Sequence, residues 1–184
     1  RKGEDYVITG YRDHFFPIVL GMDPGVMLAE LLGKVTGCAR GKGGSMHMFS
    51  EKLHFMGGHG IVGGQVPLAV GAGWKIKYQK EDNVALCFLG DAAINQGQFH
   101  EALNLAAIWD LPCIFIIENN MYGMGTAITR TCTLHNLADR AKGYNMRQAI
   151  VDGRNVVNTY NQMKEIVEET RKTSKPILVE MQTY

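Results

Sequence analysis

The sequence predicts an α/β fold, a mostly parallel sheet flanked by helices. Three observations carry that expectation. Two short, continuous apolar runs, Val84–Leu89 and Cys113–Ile117, are separated by a segment of helical length. A strand buried on both faces reads as such a run, and joining two parallel strands takes a crossover of this size. Each run ends in a polar turn, Gly90-Asp91 and Glu118-Asn119-Asn120 respectively. The C-terminal third repeats the alternation, with Met146–Val151 and Ile177–Met181 as strands on either side of a helix over Val156–Lys172.

The remaining elements follow in order. Tyr6–Thr9 is a short strand. Asp23-Pro24 starts a helix, with Asp as N-cap and Pro at the first helical position. Val26, Met27, Leu31 and Leu32 make its apolar stripe, expected in the core, and Gly33 ends it. Thr36 to His59 reads as one long glycine-rich loop. A helix is expected from Gln65 to Tyr78, and its small, apolar Leu68–Gly73 stretch suits close packing against a partner or a strand. Polar Gly125–His135 reads as a loop, and Leu134–Ala141 as a short surface helix. Asn155 caps the last helix, which shows Val157, Tyr160, Met163, Val167 and Thr170 at near-helical spacing. Glu165, Glu168, Glu169 and Arg171 form its solvated face. Pro176 opens the last strand.

Asp91 and Asn120 carry the chemistry. They lie twenty-nine positions apart, each just past a strand. Parallel strands joined by a crossover end at the same sheet edge, where open α/β sheets bind ligands. A carboxylate, an amide oxygen and a backbone carbonyl are hard donors suited to Mg²⁺ or Ca²⁺, and Mg²⁺ completes its octahedron with phosphate and water. The Gly90–Ala93 turn enters a helix whose free N–H groups favour an anion. A metal ion clamping a diphosphate is the expectation. The plain alternative is an Asp that caps a helix and an Asn that shapes a turn.

Upstream, Tyr11 and Arg12 can offer a hydroxyl and a guanidinium to a diphosphate, or be a half-buried Tyr and a surface Arg. The Gly41–Ser45 loop lacks the Walker GxxxxGK[ST] pattern, which argues against a nucleoside triphosphate site. His47, His54 and His59 fit no common zinc spacing.

At 184 residues and 46% hydrophobic content, the chain can bury a proper core. Its net charge of +1 gives no reason to invoke nucleic acid or a membrane surface. Four scattered cysteines show no CxxC spacing. Cys87 and Cys113 sit in strand runs as buried thiols, which fits a reducing compartment.

Gly41-Lys42-Gly43-Gly44-Ser45-Met46-His47-Met48, Gly60-Ile61-Val62-Gly63, Gln65-Val66-Pro67, Gly90-Asp91 and Glu118-Asn119-Asn120 together resemble the α subunits of the 2-oxo acid dehydrogenase E1 family. Leu111–Ile116 and Gln182-Thr183-Tyr184 favour its pyruvate dehydrogenase branch. The resemblance covers nearly the whole chain. It implies a thiamine-diphosphate-binding fold over residues 1–184, one domain, incomplete at both ends relative to the family. It implies Mg²⁺ on Asp91, Asn120 and the Tyr122 carbonyl. It implies the diphosphate on Tyr11, Arg12 and the Ala92 and Ala93 amides, and the aminopyrimidine ring on Gly60 and Val62. His14 falls where the family has a histidine near the reactive centre. Implied partners are an E1 β subunit in an α₂β₂ heterotetramer and a lipoyl acyltransferase, with pyruvate as substrate. Acetoin, branched-chain 2-oxo acids and a non-catalytic role are the alternatives. The implied compartment is a bacterial cytoplasm or an organelle matrix or stroma. Two departures stand out: His59 differs from many family members, and Ala92 replaces a usual Gly. At negative φ that Ala costs little; at positive φ it costs on the order of 1–2 kcal/mol.

Overall fold

The computed structural model describes residues 4–184; the polar opening Arg1-Lys2-Gly3 lies outside them. Strands β1 (Tyr6–Gly10), β2 (Phe55–His59), β3 (Ala85–Gly90), β4 (Cys113–Asn119), β7 (Arg147–Asp152) and β8 (Ile177–Gln182) form one sheet. A separate antiparallel ribbon pairs β5 (Tyr122–Gly123) with β6 (Thr126–Ala127). The large sheet runs β2-β1-β3-β4-β8-β7, and all five of its pairings are parallel.

This order sets the position of the site. The chain leaves β1 toward β2 on one side, crosses back to β3, and continues to β4 on the other side. The connections diverge between β1 and β3, which opens a crevice beyond their carboxyl ends.

Both faces of the sheet are covered. Cys87, Phe115 and Leu178 point to one face, beneath α3 (Gln65–Gln79) and α4 (Gly97–Ile108). Leu86, Ile114 and Ile177 point to the other, towards α1 (Phe15–Leu20), α2 (Pro24–Leu31) and α5 (Val156–Thr173). Five consecutive residues of β4, Cys113–Ile117, are fully buried. Burial on both faces erases the period-two alternation and leaves the continuous apolar run seen in the sequence.

Several expectations need correction. The loop expected from Thr36 to His59 ends in strand β2. The α2 stripe is mostly outward: Met27 is buried, while Leu31 and Leu32 are exposed. The segment after Gly90 does not enter an α-helix directly. A 3-10 turn over Asp91–Asn95 comes first, and extended Gln96 breaks it from α4. The surface helix expected at Leu134–Ala141 is a 3-10 helix at Leu137–Tyr144, with Leu137, Ala138 and Ala141 buried. Gly125–His135 is not all loop, since it contains β6 and a 3-10 turn at Ile128–Arg130.

Arg171 is also not solvated. Its guanidinium grips the buried Asp5 carboxylate with two 2.8 Å bonds, and Asp5 also accepts the Val84 N–H at 3.0 Å. This pair ties α5 to the start of β1 and β3.

A second buried carboxylate shapes the glycine-rich loop. Glu30, at 0% exposure on α2, accepts N–H groups from Ala39 (2.7 Å) and Gly41 (2.9 Å) on one oxygen. Its other oxygen accepts from Gly43 (2.7 Å) and Gly44 (3.1 Å). Burial alone would raise its pKa, but the four donors together outweigh that and lower it. The loop N–H groups of a phosphate-cradling kind are therefore spent on the chain's own side chain.

Replacing Arg171 with Ala leaves a buried carboxylate without its guanidinium and should cost about 3–5 kcal/mol. Denaturant unfolding measures this, and a loss below about 1 kcal/mol would contradict the account. The lowered Glu30 pKa gives stability that is present above the unfolded value near 4.5 and lost as pH falls through the folded value. The Tm gap between wild type and Glu30→Gln should therefore narrow below pH 4.5; a gap independent of pH would contradict the ionised role.

Candidate functional site

Each residue that the family resemblance assigns to the metal, the cofactor or the reactive centre lies past the carboxyl end of a sheet strand. Tyr11, Arg12 and His14 follow β1; Gly60 and Val62 follow β2; Asp91, Ala92 and Ala93 follow β3; Asn120 and Tyr122 follow β4. Register brings the last two groups side by side, because Gly90 pairs with Glu118. The contact is direct: a Cβ added to Gly123 would lie 2.3 Å from the Cβ of Ala92. The turn carrying Asn120 and Tyr122 thus packs on the turn carrying Asp91.

Asp91 is 2% exposed, and its Oδ2 is buried without a hydrogen-bond partner among the described residues. Burial pushes its carboxyl above the ordinary range, against the Ala92 and Asp91 N–H groups and the charge of Arg12. An orphaned carboxylate oxygen is costly unless something else, such as a cation, meets it. Among the described residues, no three His, Cys, Asp or Glu side chains converge as a metal site. A cation at Asp91 would therefore draw on amide, carbonyl and non-protein oxygens.

Asn120 supplies such an oxygen. Its Oδ1 accepts the Tyr122 N–H at 3.0 Å, and an amide oxygen has a second lone pair to offer. Met121 between them holds φ at 72°, a left-handed conformation uncommon for a residue with a side chain. That strain is fixed by Asn119, whose Oδ1 accepts the Met121 N–H at 2.9 Å.

Arg12 is exposed and lies within electrostatic range of both Asp91 and Glu118. Solvent reaches Glu118, yet the surrounding protein desolvates it enough to raise its pKa, with Arg12 opposing.

The β1 and β2 ends are tied together by histidines. His14 Nε2 lies 2.9 Å from both the carbonyl and the hydroxyl of Ser45, which anchors the glycine-rich loop to the β1 end. His47 Nδ1 donates to the Gly58 carbonyl at 3.1 Å, and its ring leaves only 3.3 Å to a Cβ at Gly60. Gly60 is there for close approach. The Val62 carbonyl accepts from Gln98 Nε2 at 3.0 Å, which links that segment to α4.

Sequence reasoning missed Glu30, Gln98, Asn119 and Glu180 as builders of this region. The signal available was a carboxylate inside an apolar run, at Glu180, and next to a helix end, at Glu30.

The family model described as "Dehydrogenase E1 component" matches residues 1–184. The α subunit of the pyruvate dehydrogenase E1 component of Rickettsia typhi is 45% identical over 184 residues, all of this chain and 56% of that protein. The α subunit of the acetoin:2,6-dichlorophenolindophenol oxidoreductase of Bacillus subtilis is 43% identical over 180 residues, 98% of this chain and 54% of that one. This chain therefore spans little more than half the length of those relatives. A transketolase structure from Pichia stipitis aligns with TM-score 0.68 at 17% identity, over 97% of this chain and 28% of its own, and shows a shared fold. The chain belongs to the dehydrogenase E1 component family.

Proposed function

We propose that this chain is the α-subunit portion of a pyruvate dehydrogenase E1 component and binds the diphosphate end of thiamine diphosphate through Mg²⁺. The observation that carries this reading is the buried, unpartnered Oδ2 of Asp91 at the point where the sheet connections diverge, with the Asn120–Tyr122 turn packed beside it. The donor set fits Mg²⁺, which prefers one or two carboxylates plus oxygens of a bound phosphate. The 45% identity to a pyruvate dehydrogenase α subunit supports the reading.

In this role Asp91, Asn120 and the Tyr122 carbonyl hold the cation. Tyr11, Arg12 and the Ala92 and Ala93 amides hold the diphosphate, and Arg12 supplies the positive charge that the anion needs. Gly60 and Val62 present backbone groups to the ring, where the His47 ring, 3.3 Å from a Cβ at position 60, crowds any side chain. The bound cofactor supplies carbanion stabilisation that no side chain offers. The protein's part is position and charge. His14, held by Ser45, is the residue assigned to the substrate side. An E1 β subunit would complete the site, and a lipoyl acyltransferase would be the partner assembly. Acetoin is the second reading, because an acetoin oxidoreductase α subunit is similar at 43%.

Ala92 does not stand against this. It lies inside the 3-10 turn and is not among the residues with positive φ. Its Cβ instead requires glycine at position 123.

Titration calorimetry with thiamine diphosphate, on the chain with its β partner, should show binding that depends on Mg²⁺ and weakens about 100-fold in Asp91→Asn. Equal binding by both proteins would contradict the reading. Decarboxylation assays across pyruvate, branched 2-oxo acids and acetoin separate the substrates; turnover of acetoin alone would replace the first reading with the second. Ala92→Gly should leave affinity within about threefold, since no strain is relieved. Gly123→Ala should weaken binding about tenfold through overpacking, and adding Ala92→Gly should restore it. Tighter binding by Ala92→Gly alone would contradict the steric account.

A further inference from the structure

Glu180 is a carboxylate at 0% exposure in the middle of β8. It pairs in register with Ile117 of β4 and Ile150 of β7, and Ile117 and Leu178 beside it are fully buried. A leucine would satisfy this position in a core. A buried carboxylate is costly unless N–H donors replace its water.

Four donors do so. Oε1 accepts from Asn119 Nδ2 at 2.8 Å and from Gln182 Nε2 at 3.4 Å. Oε2 accepts from the backbone N–H groups of Leu137 at 2.6 Å and Ala138 at 3.2 Å. These are the free N–H groups that open the 3-10 helix Leu137–Tyr144.

What Glu180 holds leads in two directions to the site. Through Asn119 it reaches the Met121 N–H, and so the strained residue between Asn120 and Tyr122. Through Leu137 and Ala138 it seats the helix that carries Arg140. Arg140 donates to Asn95 Oδ1 at 2.8 Å, and Asn95 ends the turn that begins at Asp91.

We propose that Glu180 is a positioning residue for the cation end of the cleft, acting through Asn119 on the turn that presents Asn120 and Tyr122. The proposal deepens the reading above and rests on it for the role of that turn. The polarity of the pair is fixed: one Glu180 oxygen must face the Asn119 amide nitrogen while the other faces two N–H groups. Glu180→Gln cannot do both. It turns an NH₂ either toward the Asn119 NH₂ or toward Leu137 and Ala138. Adding Asn119→Asp to that variant mends this. The amide oxygen now at position 180 takes the helix N–H groups, its NH₂ donates to the carboxylate now at position 119, and the Gln182 amide turns its oxygen to that NH₂. That carboxylate still accepts from the Met121 N–H.

The test is amide hydrogen exchange by NMR on the protein without ligands, together with Mn²⁺ affinity in the presence of thiamine diphosphate. In Glu180→Gln the Met121 and Tyr122 amides should exchange about tenfold faster while α3 amides keep their protection. The Mn²⁺ Kd should rise about tenfold or more. The double variant Glu180→Gln/Asn119→Asp should return both quantities to within about threefold of wild type. A single variant with unchanged exchange at Met121 and Tyr122 would overturn the proposal. So would a double variant that stays as impaired as the single one. If wild type shows the expected exchange pattern yet binds no Mn²⁺, the function assigned to the turn fails, and the positioning role falls with it for that separate reason.

Discussion

The parallel register between β3 and β4 is the constraint on which the rest depends. Gly90 opposite Glu118 places Asp91 and the Asn120 turn on the same rim, although helix α4 separates them in sequence. The apolar run of β4 fixes that register, because a slip by one residue would turn every side chain of the strand to the opposite face. The core thus sets the geometry of the site before any polar residue acts.

Around this frame, three of the buried carboxylates do different work. Asp5 is paired with Arg171 and fastens a helix to the sheet. Glu30 is satisfied by four backbone N–H groups and folds the glycine-rich loop around itself. Asp91 keeps a buried oxygen unpaired among the described residues, as does Asp13 past β1, and Asp91 is the one beside the turn that carries Asn120 and Tyr122. The contrast matters. A chain that satisfies Asp5 and Glu30 so fully leaves Asp91 incomplete where a ligand can complete it, a local violation of the kind expected at functional sites.

Much of the fold was legible in the sequence because burial on both faces writes continuous apolar runs. β4 and α3 were readable to within a residue or two, and the Asp23 and Asn155 caps form the bonds their positions imply. Strand β2 was not readable. Its Gly57 and Gly58 are imposed by Phe49 and Asp13, which leave no room for a Cβ, so the strand carries turn-like residues for reasons of tertiary contact. Arg171 looked solvated because its partner lies at the far end of the chain, and no local pattern links them. The shared rim of Asp91 and Asn120 was legible from the strand ends, because both follow paired parallel strands. Asn119 and Glu180 were not, because a positioning residue is defined by what it touches across the sheet.

The central claim is that Asp91 and Asn120 share one divalent cation. A crystal structure of the protein with its β partner, thiamine diphosphate and Mn²⁺, read by anomalous scattering, tests it most directly. The account predicts a single anomalous peak bonded to both the Asp91 carboxylate and the Asn120 amide oxygen. A peak bonded to neither, or cofactor bound with no metal at that rim, would contradict it.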